Sequence, residues 1–101
     1  MNKYILKLFI TGQTPRARRA VENISRLCEE RLAGRYEIIV VDVLERPEEA
    51  EADRIIATPT LIKMLPPPLR RIIGDLSDSE QVLLGLDLND GSVPSNQSIE
   101  A

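Results

Sequence analysis

The stretch that decides the fold is residues 57–77, ATPTLIKMLPPPLRRIIGDLS. Three consecutive prolines (66–68) divide it, and proline cannot donate a hydrogen bond to a neighbouring strand within a sheet. Apolar residues stand on both sides of the prolines, so the sequence predicts two strands, over residues 55–65 and residues 69–73. The run Thr60–Leu65 is also short enough to be part of a helix, and periodicity alone does not decide between the two.

The chain before this stretch predicts a strand, a helix and a second strand. Tyr4–Ile10 is an almost continuous apolar run of strand length, typical of a strand covered on both faces. Apolar residues then recur at spacings of three and four over residues 17–32, which indicates an amphipathic helix with Thr14 as its N-cap. Gly34 is placed to end this helix in the left-handed conformation. The β-branched run 36–43 follows, so the three elements form a βαβ unit with parallel strands.

Two further helices complete the predicted order. Glutamates in residues 48–54 favour a short helix there, because carboxylates stabilise helix N-termini. Residues 77–80, Ser-Asp-Ser-Glu, have the form of a capping box and predict a final helix over residues 81–86. The helix-weakening Gly85 lies inside the apolar run 82–88, so this segment is a candidate strand as well.

The predicted order, βαβ followed by αββα, is that of a thioredoxin-like α/β domain. A chain of 101 residues has room for one core, and the sequence predicts a single domain over residues 1–90. Residues 91–101 are rich in Ser, Asn and Gly and lack periodicity, so we expect a flexible C-terminal tail.

Composition excludes several classes of function. The net charge of −3 and the pI near 5.0 argue against nucleic acid as a partner. Histidine is absent, which removes the commonest general base and the commonest transition-metal ligand, and no cofactor is expected. Cys28 is the single cysteine, so the sequence predicts a reducing, cytoplasmic environment. The N-terminal apolar run, broken by Lys7, is too short for a signal peptide or a membrane span.

The turn after the first strand bears on enzyme activity. In redox-active thioredoxin-like proteins it carries a Cys-x-x-Cys pair, because the following helix N-terminus lowers the thiol pKa. Here residues 11–15 read Thr-Gly-Gln-Thr-Pro, without a sulfur atom. Cys28 falls on the apolar face of the first helix, as expected for an inert core residue. The sequence therefore predicts no enzyme, and a thiol transferase or peroxidase is the competing hypothesis.

Two smaller features are candidates for recognition. Pro59, between two threonines, occupies the position where thioredoxin-like proteins hold a cis proline, and an ordinary trans loop proline is the alternative. Arg70 and Arg71 follow the triple proline and, with Lys63, predict a basic patch for an acidic protein surface, or else a strand edge kept soluble by charge. The full set of candidate interface residues is Arg54, Lys63, Pro67, Pro68, Arg70 and Arg71.

These motifs together resemble those of a known family. Residues 57–61, residues 65–77 with the triple proline and Arg-Arg-Ile-Ile-Gly-Asp-Leu-Ser, and residues 82–88 carry the resemblance. Residues 6–8, 12–15 and 41–44 add to it. Together these residues resemble the KaiB family of clock-associated proteins. The likeness covers about residues 4–88, and the triple proline with the run that follows it is not a generic turn pattern.

The resemblance implies a non-enzymatic regulator of a circadian-type timing system. Such a protein binds the N-terminal ATPase ring of a KaiC-type hexameric kinase and phosphatase, modulates its phosphorylation, captures KaiA and competes with a histidine kinase sensor. The resemblance also implies two folds, a homotetramer of βαββααβ order and a thioredoxin-like βαβαββα monomer that binds KaiC. Tyr4, Gly85 and Asp87 match the positions that govern the choice. The resting form is therefore predicted to be a homotetramer or dimer.

Strand two departs from the family pattern. Glu37 and Ile39 stand where clock members tend to have a small residue and a lysine. This departure supports an alternative, a thioredoxin-like stress or redox-related protein that acts with a divergent KaiC paralogue outside a true clock.

Overall fold

Seven elements of secondary structure make up residues 3–86, the part of the chain that the computed structural model describes. They are β1 (Tyr4–Ile10), α1 (Pro15–Leu32), β2 (Tyr36–Asp42), α2 (Pro47–Ala52), β3 (Thr60–Leu65), β4 (Arg70–Ile73) and α3 (Ser79–Leu86). The thioredoxin-like βαβαββα order is confirmed. The predicted tail and the domain boundary at residue 90 lie outside the described residues.

The four strands form one sheet in the order β2-β1-β3-β4. β1 pairs with β2 in parallel and with β3 antiparallel, so that Lys7 stands between Ile39 and Ile62. The register to β3 shifts between Ile5 and Leu6. Because β1 has a partner on each side and packing on each face, its sequence is apolar almost throughout.

The two faces of the sheet are covered unequally. Leu6 and Leu8 of β1 pack with Ile24 of α1 and Leu86 of α3 in the main core, where all four are fully buried. Phe9, Val41 and Ile62 form a smaller cluster on the other face, and Ala50 of α2 packs against it. α2 has six residues and buries none of them, so this second face has a thin cover.

The helix ends follow the predictions in part. Thr14 caps α1 as expected, since its Oγ1 accepts a hydrogen bond from Ala17 N at 3.0 Å. The left-handed end comes one residue earlier than predicted, because Ala33 already has φ 48° before Gly34 at φ 84°. The predicted capping box at residues 77–80 is wrong: Asp78 Oδ1 accepts from Gln81 N at 3.2 Å, and α3 begins at Ser79.

Three predicted boundaries are corrected in the chain around α2. β2 ends at Asp42 because its Oδ1 accepts from Gly12 N and Leu44 N and turns the backbone. α2 ends at Ala52, shortly before Arg54, which has a left-handed φ of 56°. The strand predicted over residues 55–65 begins only at Thr60. Ile55 N instead donates to the Ala50 carbonyl at 2.9 Å and closes the end of α2.

Candidate interaction surfaces

The turn after β1 and the loop before β3 meet at one end of the sheet. Their contact is a hydrogen bond of 2.6 Å between Thr11 Oγ1 and Thr58 Oγ1. The Thr58–Pro59 peptide bond is cis, as predicted for Pro59. No carboxylate or amine is hydrogen-bonded to either hydroxyl within residues 3–86, and that stretch contains no group of ligating side chains that would hold a metal. The pair can donate and accept hydrogen bonds, but it lacks the adjacent base that activates a nucleophile.

Cys28 lies far from this turn, in the main core. It is fully buried and free, as the sequence predicts. Burial raises the pKa of its thiol to about 12, and the Glu29 carboxylate adds to the rise. Because the thiolate is the reactive form of cysteine, this residue is inert near neutral pH.

Charged groups hold α2 to the sheet. Lys7 Nζ, from the middle of β1, lies 3.4 Å from Glu49 Oε1 and 3.3 Å from Asp53 Oδ2, and 5.6 Å from the centroid of the Phe9 ring. Arg46 Nη1 donates to Glu49 Oε2 at 2.9 Å. This hydrogen bond is the largest cause of the lowered pKa of Glu49, ahead of the contribution from Lys7.

Arg71 secures the far end of α2. Its Nη2 donates to the Asp53 carbonyl oxygen at 3.0 Å, and its Nη1 lies 3.5 Å from the Arg54 carbonyl oxygen. Carbonyl groups at a helix C-terminus lack partners within the helix, and a guanidinium supplies donors for them. Arg71 therefore has an internal structural contact in addition to its predicted interface role.

The six candidate interface residues do not form one patch. Pro67, Pro68 and Arg70 are exposed where β3 turns into β4, and the Leu65–Pro66 and Pro67–Pro68 bonds are cis. We call residues 66–70 the proline turn. Arg54 and Arg71 lie together at the end of α2, on the other face of the sheet from the main core. The structure thus separates the predicted patch into two regions.

Lys63 belongs to neither region. It is 1% exposed, so the prediction that it contributes to a surface patch is wrong. Side chains alternate along a strand, and Lys63 shares a face of β3 with Leu61, a residue of the main core. The sequence showed a lysine between apolar neighbours and gave no sign of which face it occupies.

Two of the three residues matched to fold choice, Tyr4 and Gly85, lie in or beside the main core. Tyr4 is buried at the start of β1, and its N–H donates to the Arg35 carbonyl at 3.0 Å. Gly85 is part of α3, where an added Cβ would stand 3.0 Å from Ile72 Cδ1. Asp87 lies outside the described residues.

The sequence did not reveal a surface groove at the end of the sheet where Thr11 and Thr58 meet. The groove has a volume of about 620 Å³, and its lining residues are Thr11, Val43, Pro47, Ala50, Glu51 and residues 55–58. Ile56 is 90% exposed at this groove. Its β-branched pair with Ile55 indicated a strand interior, and a loop with an exposed isoleucine has no distinctive pattern in sequence.

Comparison with protein families and relatives identifies one family. The model of the KaiB domain matches residues 7–88. The circadian clock protein KaiB3 of Synechocystis sp. is 54% identical over 88 residues, which cover 87% of this chain and 86% of that protein. The circadian clock oscillator protein KaiB of Prochlorococcus marinus is 58% identical over 85 residues, which cover 84% and 71%. Both relatives are named as clock proteins and neither as an enzyme. These names do not favour the alternative of a thioredoxin-like stress or redox-related protein.

Solved structures show the same fold at lower identity. The N-terminal domain of SasA from Synechococcus elongatus has a TM-score of 0.71 and 24% identity over 92% of this chain and 91% of that one. Mitochondrial thioredoxin 3 from Saccharomyces cerevisiae has a TM-score of 0.67 and 18% identity over 86% and 79%. Within residues 3–86 no helix has the length and apolar character needed to cross a membrane.

Proposed function

Because this chain belongs to the KaiB family, we propose that it is a non-enzymatic regulator of a circadian-type timing system. It binds the N-terminal ATPase ring of a KaiC-type hexameric kinase and phosphatase in the cytoplasm and modulates its phosphorylation state. The observation that carries this proposal is the identity of 54% and 58% to proteins named for the circadian clock, over most of both chains. In its ring-bound state it captures a KaiA-type protein and competes with a histidine kinase sensor.

The geometry of the thioredoxin-like turn supports a binding role over an enzymatic one. Thiol transferases and peroxidases need an accessible, low-pKa cysteine. This turn has threonine hydroxyls instead, and the burial of Cys28 raises its pKa. What the fold offers a partner is shape, exposed apolar side chains and charge.

The proline turn is the surface we assign to the KaiC-type ring. Leu65 and Leu69, which flank the prolines, are 51% and 53% exposed, and Arg70 is exposed beside them. Prolines have few conformations to lose on binding, so a proline-rich turn binds at a low entropic cost. An arginine at its border holds an acidic side chain of the partner by two parallel hydrogen bonds.

Reversal of the charge at Arg70 tests this assignment. We expect Arg70→Glu to weaken binding to the KaiC-type ring about tenfold or more, because a carboxylate would meet the partner's acidic group. Surface plasmon resonance with the hexameric partner from the same cell measures the change. Arg16→Glu is the matched control, since Arg16 is exposed in the first turn of α1. That turn follows the end of β1, whereas the proline turn lies beside the start of β1. Equal affinities of the two variants would contradict the assignment.

We also propose that this chain has the second arrangement of its family, a homotetramer or dimer of βαββααβ order. Gly85 lies in α3, so a change in helix propensity at this position changes the free-energy difference between the two arrangements. Replacement of glycine by alanine stabilises a helix by about 0.5–1 kcal/mol. The new Cβ would be 3.0 Å from Ile72 Cδ1, the free end of a half-buried side chain, so a shift of a few tenths of an ångström makes room for it.

The double variant Gly85→Ala with Asp87→Arg should therefore shift the population toward the thioredoxin-like monomer. Position 87 follows Leu86, where α3 ends as described. A cation near a helix C-terminus stabilises the helix by about 0.3–1 kcal/mol through the helix dipole. Together the changes approach about 1.4 kcal/mol, a tenfold change in population. NMR spectra, light scattering and association rates with the KaiC-type ring measure it. Ser25→Ala, in α1 and outside the segment 82–88, is the control. An unaltered assembly with unaltered rates in the double variant would show a single fold.

A further inference from the structure

The groove at the Thr11–Thr58 end has an apolar wall that the fold does not cover. Val43, Ala50 and Ile55 pack against the small cluster around Phe9 with part of their surface and line the groove with another part. Ile56 is 90% exposed beside them. An exposed apolar surface with polar borders is typical of a site where another protein binds.

Backbone donors are free at the same place. The N–H groups of Ile56 and Ala57 donate to no backbone carbonyl among the residues that the structure describes, and both residues are exposed. Free N–H groups in an exposed loop can donate to the backbone carbonyl groups of a bound peptide. The groove thus has both a side-chain pocket and backbone partners for a peptide.

The charge around the groove selects the kind of peptide. Residues 45–56 contain five acidic and two basic residues, and Lys7 and Arg71 from the sheet contact the same segment. Arg46 and Lys7 pair with Glu49, while Glu48 and Glu51 are exposed and form no ion pair within residues 3–86. Glu51 lines the groove. Opposite charge attracts a partner to such a surface, and like charge excludes it.

We propose that this groove binds an extended segment of a partner protein in which one apolar residue is flanked by lysine or arginine. The apolar side chain lies against Ala50 and Ile55, its backbone accepts hydrogen bonds from the Ile56 and Ala57 N–H groups, and its cations face Glu51. The groove is at the Thr60 end of β3, and the proline turn follows Leu65 at the other end. Binding at the groove is therefore a function separate from ring binding.

Selection from a random peptide library displayed on phage tests the proposal without prior choice of a sequence. The full chain is the bait, and we expect enrichment of peptides with an apolar residue between basic ones. In NMR titrations with a selected peptide, the amide signals of Ile56 and Ala57 should shift. Ile56→Ser should weaken binding at least about tenfold, because an isoleucine's apolar contact area is lost; the substitution leaves folding intact, since that side chain is 90% exposed.

Charge reversal with a matched control completes the test. Glu51→Lys should weaken peptide binding, and Glu30→Lys, exposed on α1, should not. The peptide and the KaiC-type ring should bind to the chain at the same time, and Ile56→Ser should leave ring binding unchanged. Failure of the groove proposal is therefore distinct from failure of the proposed function. The proposal is overturned by no enrichment, by an acidic consensus, by displacement of the peptide by the ring, or by peptide binding that is insensitive to Ile56→Ser.

Discussion

The thiol of Cys28 should react with DTNB about a thousandfold more slowly in the native protein than in the unfolded chain at pH 8. The thiolate is the nucleophile in this reaction. Burial raises the pKa of Cys28 from 9.0 to about 12. Because pH 8 lies below both values, a rise of about three pKa units lowers the fraction of thiolate about a thousandfold. The side chain is also fully buried, so limited access of the reagent slows the reaction further.

Absorbance of the released thiol measures both rates, with and without denaturant. Cys28→Ser gives the blank, because it removes the single sulfhydryl of the chain. A fast reaction of the folded protein, joined by a glutathione-dependent activity that is lost in Cys28→Ser, would restore the thiol-enzyme hypothesis. The expected slow reaction removes it.

Phe9→Ala should lower the free energy of unfolding by about 3–5 kcal/mol. Phe9 is fully buried and forms the centre of the small cluster with Val41 and Ile62. Truncation leaves a cavity between the sheet and α2, and it also removes the ring that lies 5.6 Å from the Lys7 ammonium group. Since a domain of this size has a total stability of about 5–15 kcal/mol, much of the protein's stability would be lost.

Urea unfolding followed by circular dichroism measures this change. Ile56→Ala is the control, because an exposed side chain away from any cap or network changes stability by no more than about 0.5 kcal/mol. If both variants unfold at the same urea concentration, Phe9 contributes little and the ion pairs of Lys7 hold α2 in place without the cluster.

The sequence was sufficient for the elements whose patterns are long or closed by a clear cap. β1 and α1 were predicted within a residue, because a strand with six apolar residues out of seven and a helix of eighteen residues with clear periodicity leave few alternatives. Two segments, Thr60–Leu65 and 82–88, were compatible with either a helix or a strand. Over the residues that the structure describes, tertiary contacts decide between the two: β3 pairs with β1 and β4, while α3 packs on the main core.

The candidate surfaces were harder to predict, because they depend on which face each residue occupies. Lys63, Arg70 and Arg71 are close in sequence, yet Lys63 is buried on the face of the main core and Arg71 contacts the end of α2 on the other face. The groove is assembled from three loops and one short helix. No single stretch of the chain contains its pattern, so only the folded structure brings it together.

The position of β1 has a consequence for the order in which the protein acquires its fold. Tyr4 pairs with Tyr36, 32 residues away, whereas Phe9 pairs with Thr60, 51 residues away. Closing the shorter loop costs less entropy, and the ribosome delivers the N-terminal half first. A nascent βαβ unit therefore forms with the second edge of β1 unpaired, and until β3 emerges that edge is open to a strand from a neighbouring nascent chain.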